Sequence, residues 1–386
     1  MLRFQIAGSL PKAILAVSLM SSLPGMAQEQ SPAPGARAIK VGISLPLSGA
    51  LAAYGKSTLE GIRLRIEQAN TAGGIQGAPV TLIVEDNQGD ATAGINAYNK
   101  LAGSDKVAAV IGPITSTAAL AVRRAAAKQK VPVVSPTATN DKVTQGHDYL
   151  FRTCFNDSFQ GRIIASFAVR EHKQAATLID MNSDYSKGLA RSFREAFTAA
   201  GGSLVAEEKY QQKDTDFGVQ LKRIKDSGAG IVFIPGYPPE LPLIIKQAKA
   251  IGLTARLCGA DGWDNETVIN GSGDHVANSL LVGAFSAEDQ RPAVQSFLAA
   301  YQKQHRTTPG TFEALGYDSA SLVLAALRHG TTPADVQQGL AAIRDLEAVT
   351  GKITMRNGDA IKSAIILKIV KTDGKYATKY VDTVNP

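Results

Sequence analysis

The sequence predicts an α/β protein made of two Rossmann-like, doubly wound lobes joined by a multi-strand hinge. Three observations predict it. Strand-like and helix-like segments alternate regularly from Ile39 to about Ala250. The alternation pauses near Thr153 and then restarts, as two similar units would. Short polar or glycine-rich motifs follow one predicted strand after another. Strand, crossover helix and strand in repetition specify a parallel sheet with helices on both faces. In such sheets ligands bind beyond the carboxyl ends of the strands.

The elements follow in order. Ile39–Leu45 is β-rich, and Gly55–Thr71 is amphipathic, with Leu59, Ile62, Leu64 and Ile66 set among charges. Val80–Glu85 reads as a strand, Ala91–Ala102 as a helix, Val107–Ile111 as a strand and Ala118–Lys130 as an alanine-rich helix. Val131–Val134 and the short Leu150–Arg152 are strands. The second unit runs Gln160–Glu171 helix, Ala175–Ile179 strand, Ser186–Ala200 helix, Leu204–Tyr210 strand, Phe217–Ser227 helix, Gly230–Ile234 strand and Leu241–Ala250 helix. Gly73-Gly74 and Gly201-Gly202 end corresponding helices, as C-cap glycines do. The tail differs. Pro292–Gln304, Ala314–His329 and Pro333–Arg344 are three helices without strands between them, so they are expected to pack on the first lobe. Two strands flank Asn357-Gly358, a hairpin signal, with Ile361–Lys371 the second of them and Lys375–Val381 last. The chain is expected to cross between lobes near Thr153, Ala284 and Val349, giving a first lobe of residues 39–153 plus 285–348 and a second of 154–284 plus 349–386. Several crossings make a hinge, and a hinge implies a cleft that opens and closes.

A chain of 386 residues can build two cored domains. Its 44% hydrophobic and 19% charged residues are those of a globular protein. The net charge of +7 is scattered along helices, and two of its basic residues, Arg3 and Lys12, fall in the leader, so no nucleic-acid partner is expected. Residues 1–27 read as a secretory signal peptide: that basic start, the apolar run Ala13–Met20, and the small-x-small site Gly25-Met26-Ala27. Residues 28–38, with Pro32, Pro34 and Gly35, are a flexible lead-in. The mature protein is then exported. Export permits a disulfide between Cys154 and Cys258 but does not require one. The two cysteines match no zinc pattern and the histidines are dispersed, so no metal is expected.

The motifs carry hydroxyls, small residues, tyrosines and one acid: Leu45-Pro46-Leu47-Ser48-Gly49 with Tyr54-Gly55, Gly112–Thr117, Ser135–Thr139, Asp180–Tyr185, Gly236-Tyr237 and Gly259–Trp263. Singly, Ser116 and Thr139 are N-cap candidates. Together, at two strand ends of one lobe, they suit a ligand carboxylate at helix N-termini. Asp261 in the other lobe, an Asx-turn candidate by itself, suits a ligand ammonium. Tyr54, Tyr185, Tyr237 and Phe312 suit the wall of an apolar side chain. Gly49…Gly55-Lys56-Ser57 has five residues between its glycines where a phosphate loop requires four. No Gly-x-Gly-x-x-Gly follows the first strand and no Gly-x-Ser-x-Gly occurs, so neither a dinucleotide cofactor nor a hydrolase is supported. No base–nucleophile pair is visible, and an enzyme is not expected.

In this order the motifs resemble the periplasmic leucine/isoleucine/valine-binding protein family, the receptors of ABC-type branched-chain amino-acid importers. The resemblance runs from about Ile39 to Lys371. It rests on Pro46-Leu-Ser-Gly…Tyr54-Gly55, Gly73-Gly-Ile-Gln-Gly, Ile111-Gly-Pro, Ser135-Pro-Thr-Ala-Thr, Tyr185-Ser-Lys-Gly and Gly316-Tyr-Asp-Ser. It implies the periplasmic binding protein type I fold, with an α-carboxylate held by Ser116 and Thr139 and by backbone at Thr137. Ala138, between them on that loop, is counted in the site. It also implies tyrosines at Tyr185 and Tyr237, and Asp261 as the ammonium partner where the family often has Glu. Tyr54, Ile114 and Phe312 would form the side-chain wall. The expected protein is a monomeric periplasmic receptor that closes on a small aliphatic amino acid and delivers it to permease subunits in the inner membrane. The alternative keeps fold and transport role but binds an aromatic acid, an amide or a urea-type solute.

Overall fold

The structure, a computed structural model, describes residues 37–372 and 374–386. The expected signal peptide and all but the last two residues of the lead-in lie outside the described residues. The first sheet carries β1 (Ile39–Leu45), β2 (Val80–Asp86), β3 (Ala109–Ile111), β4 (Val133–Ser135) and β5 (Leu150–Arg152), connected in turn by α1 (Ala52–Thr71), α2 (Ala91–Asn99) and α3 (Ser116–Gln129). The second unit follows: α4 (Asp157–Glu171), β6 (Gln174–Asp180), α5 (Asp184–Ala199), β7 (Ser203–Tyr210), α6 (Gly218–Asp226), β8 (Ile231–Phe233), α7 (Glu240–Ala250), β9 (Arg256–Gly259), α8 (Glu266–Ser272) and β10 (Leu280–Gly283). The tail is α9 (Pro292–His305), α10 (Thr311–Leu327), α11 (Pro333–Ala342), β11 (Leu346–Ala348), β12 (Gly351–Arg356), β13 (Asp359–Ile361), β14 (Ala364–Thr372) and β15 (Lys375–Val384).

Among the described residues the strands form a five-stranded parallel sheet, β2-β1-β3-β4-β5, and a seven-stranded mixed sheet, β15-β14-β10-β9-β8-β6-β7. In both, β-branched strands lie between two layers of helix. In the first lobe Ile43 and Ile111 pack with Ile62 and Leu324, while Val110 and Val133 pack with Tyr98 and Val122 on the other face. In the second, Phe233 meets Phe193 and Ile163 on one side, and Val232 meets Leu221 and Ile245 on the other. This is the two-lobed α/β architecture predicted. The tail helices do return to the first lobe, where α10 lies against α1 and its Leu322 and Leu324 join the same core.

Two readings of the tail are corrected. The expected strand Ile361–Lys371 is two strands. β13 ends at Ile361, β14 starts at Ala364, and they belong to different sheets. The expected crossing near Val349 therefore comes later. β11–β13 form a small antiparallel sheet whose Ile353, Met355 and Ala360 are buried in the first lobe's core. The hairpin at Asn357-Gly358 is present, with both residues at positive φ of 50° and 83°. It carries the chain back beside β5, where Arg152 N donates to Gly358 O at 2.9 Å. Alternation alone could not place the break, because Ile361–Lys371 is apolar on both sides of it.

That break exposes the hinge chemistry. Lys362, 2% exposed, sits between β13 and β14. Its ammonium contacts Thr350 Oγ1 and lies 3.5 Å from Thr153 O. Asp318 of α10 accepts from Val349 N at 2.9 Å, Thr350 N at 2.8 Å and Thr350 Oγ1 at 2.6 Å. Burial pushes the Lys362 ammonium down to about 8 and the Asp318 carboxyl up, while each charge supports the other. Removing one member of such a pair strands the other. Lys362→Met is therefore expected to cost about 3 kcal/mol in urea unfolding, and Lys362→Met with Asp318→Asn to recover part of it. A single variant as stable as wild type would show that the pair does not hold the hinge.

Candidate ligand-binding site

The cleft between the sheets is closed by contacts that cross it. Tyr54 Oη of α1 donates to Gly262 O at 2.8 Å, Asn140 Nδ2 donates to Asp184 O at 2.8 Å, and Asp184 N donates to Thr117 Oγ1 at 3.1 Å. Behind them a small, nearly closed cavity is lined by Leu51, Tyr54, Ile114, Thr115, Thr137, Tyr237, Asp261, Gly262 and Phe312. A larger groove behind the hinge, lined by Phe285, Arg291, Lys352 and Tyr380 among others, has no comparable convergence of residues from the strand ends.

The first lobe supplies the start of α3. Its N-cap is Thr115, whose Oγ1 accepts from Ala118 N at 3.3 Å. Ser116, read above as a cap candidate, is instead the first helical residue, and its Oγ accepts from Asn140 N at 3.2 Å. The first N–H groups of a helix have no intrahelical acceptor and suit an anion. Thr137 Oγ1 donates to Ile114 O at 2.7 Å and fixes the loop after β4 against the loop after β3. Ala138 is held on both sides: its N donates to Ser135 Oγ at 3.1 Å and its O accepts from Arg152 Nη1 at 3.0 Å. Thr139 is fully buried, and its hydroxyl has no partner among the described residues.

The second lobe supplies the acid. Asp261 begins the turn after β9, and its Oδ1 accepts from Tyr185 Oη at 2.9 Å. The same Oη accepts from Gly262 N at 2.9 Å. Tyr237 stacks on Tyr185 with centroids 4.6 Å apart and planes 18° from parallel. Phe312 meets the Tyr54 ring edge-on at 4.4 Å. Burial pushes the Asp261 carboxyl up to about 6, against the hydrogen bond from Tyr185 that pulls it back. Burial first, then the Asp261 charge, pushes the hydroxyls of Tyr54, Tyr185 and Tyr237 well above their usual range, so all three stay protonated donors.

The predicted set is therefore gathered in one place. Tyr54, Ile114, Thr137, Tyr237, Asp261 and Phe312 line the cavity. Tyr185 stands behind Asp261, Ser116 opens α3, and Ala138 and Thr139 lie on the loop after β4; none of these four lines the cavity itself. Leu51, Thr115 and Gly262 were missed. Thr115 was legible as a threonine three residues before an alanine-rich helix run. Leu51 and Gly262 had no signal beyond adjacency to Tyr54 and Asp261. Trp263 is core: its indole N–H donates to Ile234 O at 2.7 Å and the ring is fully buried. Cys154 and Cys258 are both buried free thiols. Among the described residues no cluster of His, Cys, Asp and Glu could hold a metal ion, and no helix is long and apolar enough to cross a membrane.

Two lobes that clasp a small cavity, with an acid on one side and a helix start on the other, define a solute-binding protein. The chain belongs to the periplasmic binding protein family, whose pattern matches residues 38–375, and within it to the leucine/isoleucine/valine-binding group. A Leu/Ile/Val-binding protein of Rhizobium johnstonii is 29% identical over 322 residues, 82% of this chain and 87% of its own length. The branched-chain amino acid transporter substrate binding protein LivJ from Streptococcus pneumoniae, solved in complex with isoleucine, is 34% identical with a TM-score of 0.82. That match covers 89% of this chain and 99% of LivJ. A solute binding protein of an ABC transporter from Rhodopseudomonas palustris, in complex with 3,4-dihydroxy benzoic acid, is 27% identical with a TM-score of 0.81. It covers 90% of this chain and 97% of its own.

Proposed function

We propose that this protein is a periplasmic receptor that captures a small aliphatic amino acid of the branched-chain type and delivers it to the permease of an ABC importer, making and breaking no bond. The observation that carries this reading is the Tyr185–Asp261 pair. It is a buried carboxylate with one oxygen held by a tyrosine, lining a cavity whose far wall is the start of α3. A carboxylate in that setting is costly unless a cation meets it, and an α-ammonium is such a cation. The α-carboxylate then lies toward Thr115, Ser116 and Thr139. Tyr54, Ile114, Tyr237 and Phe312 pack on the side chain. Closure is stabilised by the ligand's greater affinity for the closed form. In this reading the leader directs export and is removed near Ala27, the mature protein is a monomer, and the closed pair of lobes is what the permease recognises. The first lobe is 39–153 plus 285 to about 361, and the second is 154–284 plus the last two strands.

A second reading is favoured by the aromatic walls of the cavity and by the neighbour holding a dihydroxybenzoic acid: an aromatic acid in the same cleft. Such a ligand has no ammonium and leaves Asp261 uncompensated. The two separate in a thermal melt of protein that has been unfolded and refolded to strip carried-over solute. Ligand at 100 times Kd stabilises the folded state by about 2.7 kcal/mol. Leucine, isoleucine or valine is expected to raise the midpoint by several degrees, and benzoate derivatives are not. The opposite pattern would establish the aromatic-acid reading.

A further inference from the structure

A few residues beyond Asp261, on the same turn, a second carboxylate reaches across the cleft. Asp264 Oδ2 accepts from Thr311 Oγ1, at the first residue of α10. Asp264 lies between β9 and α8, on the side of the second sheet, whereas α10 packs on α1 over the first. The contact therefore joins the lobes. Both of its ends adjoin the cavity lining: Asp261 and Gly262 share the turn with Asp264, and Phe312 follows Thr311. The Tyr54–Gly262, Asn140–Asp184 and Asp184–Thr117 bonds each use a main-chain atom, whereas this one joins two side chains.

Neither side chain has a task within its own lobe. Capping of α8 falls to Asn265, whose Oδ1 accepts from Thr267 N at 2.8 Å. The N-cap position of α10 is Gly310, whose N donates to Glu313 Oε2 at 2.9 Å, so the buried Thr311 hydroxyl is not that cap. Outside the contact runs a groove lined by Asp264 and Thr311 together with Glu60, Glu266, Glu288 and Glu313, and by no lysine or arginine. No cation of the groove meets the Asp264 carboxylate. Burial pushes that carboxyl up to about 6, the Thr311 hydrogen bond pulls it back, and the charges of Glu313 and Asp261 add to the rise. Phe312 lines both the groove and the cavity, so it is the partition between them. Asp264 and Thr311 meet on the groove side of that partition.

We propose that Asp264 and Thr311 are positioning residues for ligand retention: a latch that forms as the lobes meet and holds Phe312 against the cavity until they part. Neither touches the ligand. This rests on the receptor reading above, in that binding closes the cleft, but on neither class of ligand. It goes beyond that reading by assigning the rate of escape to one pair of side chains outside the cavity. In an open cleft water serves both groups. In the closed one the hydroxyl replaces that water, and without it a buried acceptor is left unmet, a cost that falls on the closed form alone.

The test is a double-mutant cycle on refolded wild type, Thr311→Val, Asp264→Ala and the double variant. Each is titrated calorimetrically with leucine, isoleucine, valine and 3,4-dihydroxybenzoate. Release of isotope-labelled ligand is timed by chase, and ligand-free unfolding midpoints are taken by circular dichroism. For whichever probe wild type binds, Thr311→Val is expected to weaken affinity about tenfold through faster release, with the ligand-free midpoint unchanged. In the Asp264→Ala background the same change should alter affinity less than about twofold, because no carboxylate is left to strand. Thr311→Val affinity within twofold of wild type, an equal loss in both backgrounds, or a loss carried by slower capture would overturn the latch and leave the receptor reading standing. So would a loss matched by a fall in the ligand-free midpoint, because Thr311 would then serve the first lobe alone. Binding of 3,4-dihydroxybenzoate and none of the amino acids would overturn the amino-acid reading, while the cycle on that ligand still decides the latch. Wild type that binds none of the four would overturn the receptor reading and this inference with it.

Discussion

Asp261→Ala is expected to lower affinity for a branched-chain amino acid at least 100-fold. The ammonium of such a ligand enters a cavity walled by Tyr54, Ile114, Tyr237 and Phe312, where water is scarce and unpaired charge is expensive. Breaking one partner of a buried ion pair costs about 3–5 kcal/mol, and each 1.4 kcal/mol is about tenfold in Kd. The variant should remain folded, because its loss also removes a carboxylate that burial disfavours. The same residue sets a pH dependence. With its carboxyl pushed up to about 6, Asp261 carries a proton below that pH. An ammonium requires the ionised form, so binding expels that proton. Affinity should therefore rise with pH by at most about tenfold per unit below 6 and level off above about 7. Titrations at several pH values in buffers of different ionisation heat would detect the proton. Affinity unchanged from pH 5 to 8, or an Asp261→Ala variant that binds as wild type does, would remove Asp261 from the site.

Gly316→Val is expected to destabilise the first lobe by more than about 4 kcal/mol, a loss found only when a named core feature is broken. Helices α1 and α10 touch backbone to backbone at two glycines. A Cβ at Gly316 would lie 2.1 Å from Thr58 O, and one at Gly61 would lie 1.9 Å from Glu313 O. No side chain stands between to yield, so the helices must separate. Ile62 and Leu59 of α1 and Leu322 and Leu324 of α10 would part with them, in the core that also holds β1. Ordinary overpacking costs about 1–3 kcal/mol when neighbours can shift, and here the neighbour is main chain on a packed helix. Gly103→Ala is the control. Its Cβ would meet only Gln129 Oε1, at 3.4 Å, and the change should stay within about 1 kcal/mol. Urea unfolding followed by circular dichroism would separate the two. A Gly316→Val chain as stable as the control would mean that the α1–α10 contact is not what seats Tyr54 and Phe312.

Most of the architecture was legible because two periodicities alternate in the sequence, and that alternation permits few topologies. The strand ends were legible for the same reason, which is why Tyr54, Tyr237 and Asp261 could be named before their geometry was known, whereas Thr137 came from the family resemblance. What escaped was information that only three dimensions hold. The helix starting at Asp157 was read as starting at Gln160, so Asp157 looked like loop. Its position beside Thr139 and Gly188 depends on the lobes being folded together. Lys362 sat inside an apolar run and looked like a strand residue, whereas it marks the point where the chain changes sheets. Its burial is compensated by Asp318, far away in sequence. The capping role given to Ser116 belonged to Thr115, a one-residue error of the kind that helix boundaries produce.

The central claim is that this cleft closes on an amino acid through its α-ammonium. Isothermal titration of leucine, isoleucine and valine into the unfolded-and-refolded protein at pH 7.5, with 3,4-dihydroxybenzoate as comparator, tests it most directly. One-to-one binding of at least one of the amino acids, with no heat from the aromatic acid, is the predicted result. One-to-one binding of the aromatic acid with none of the amino acids would contradict it.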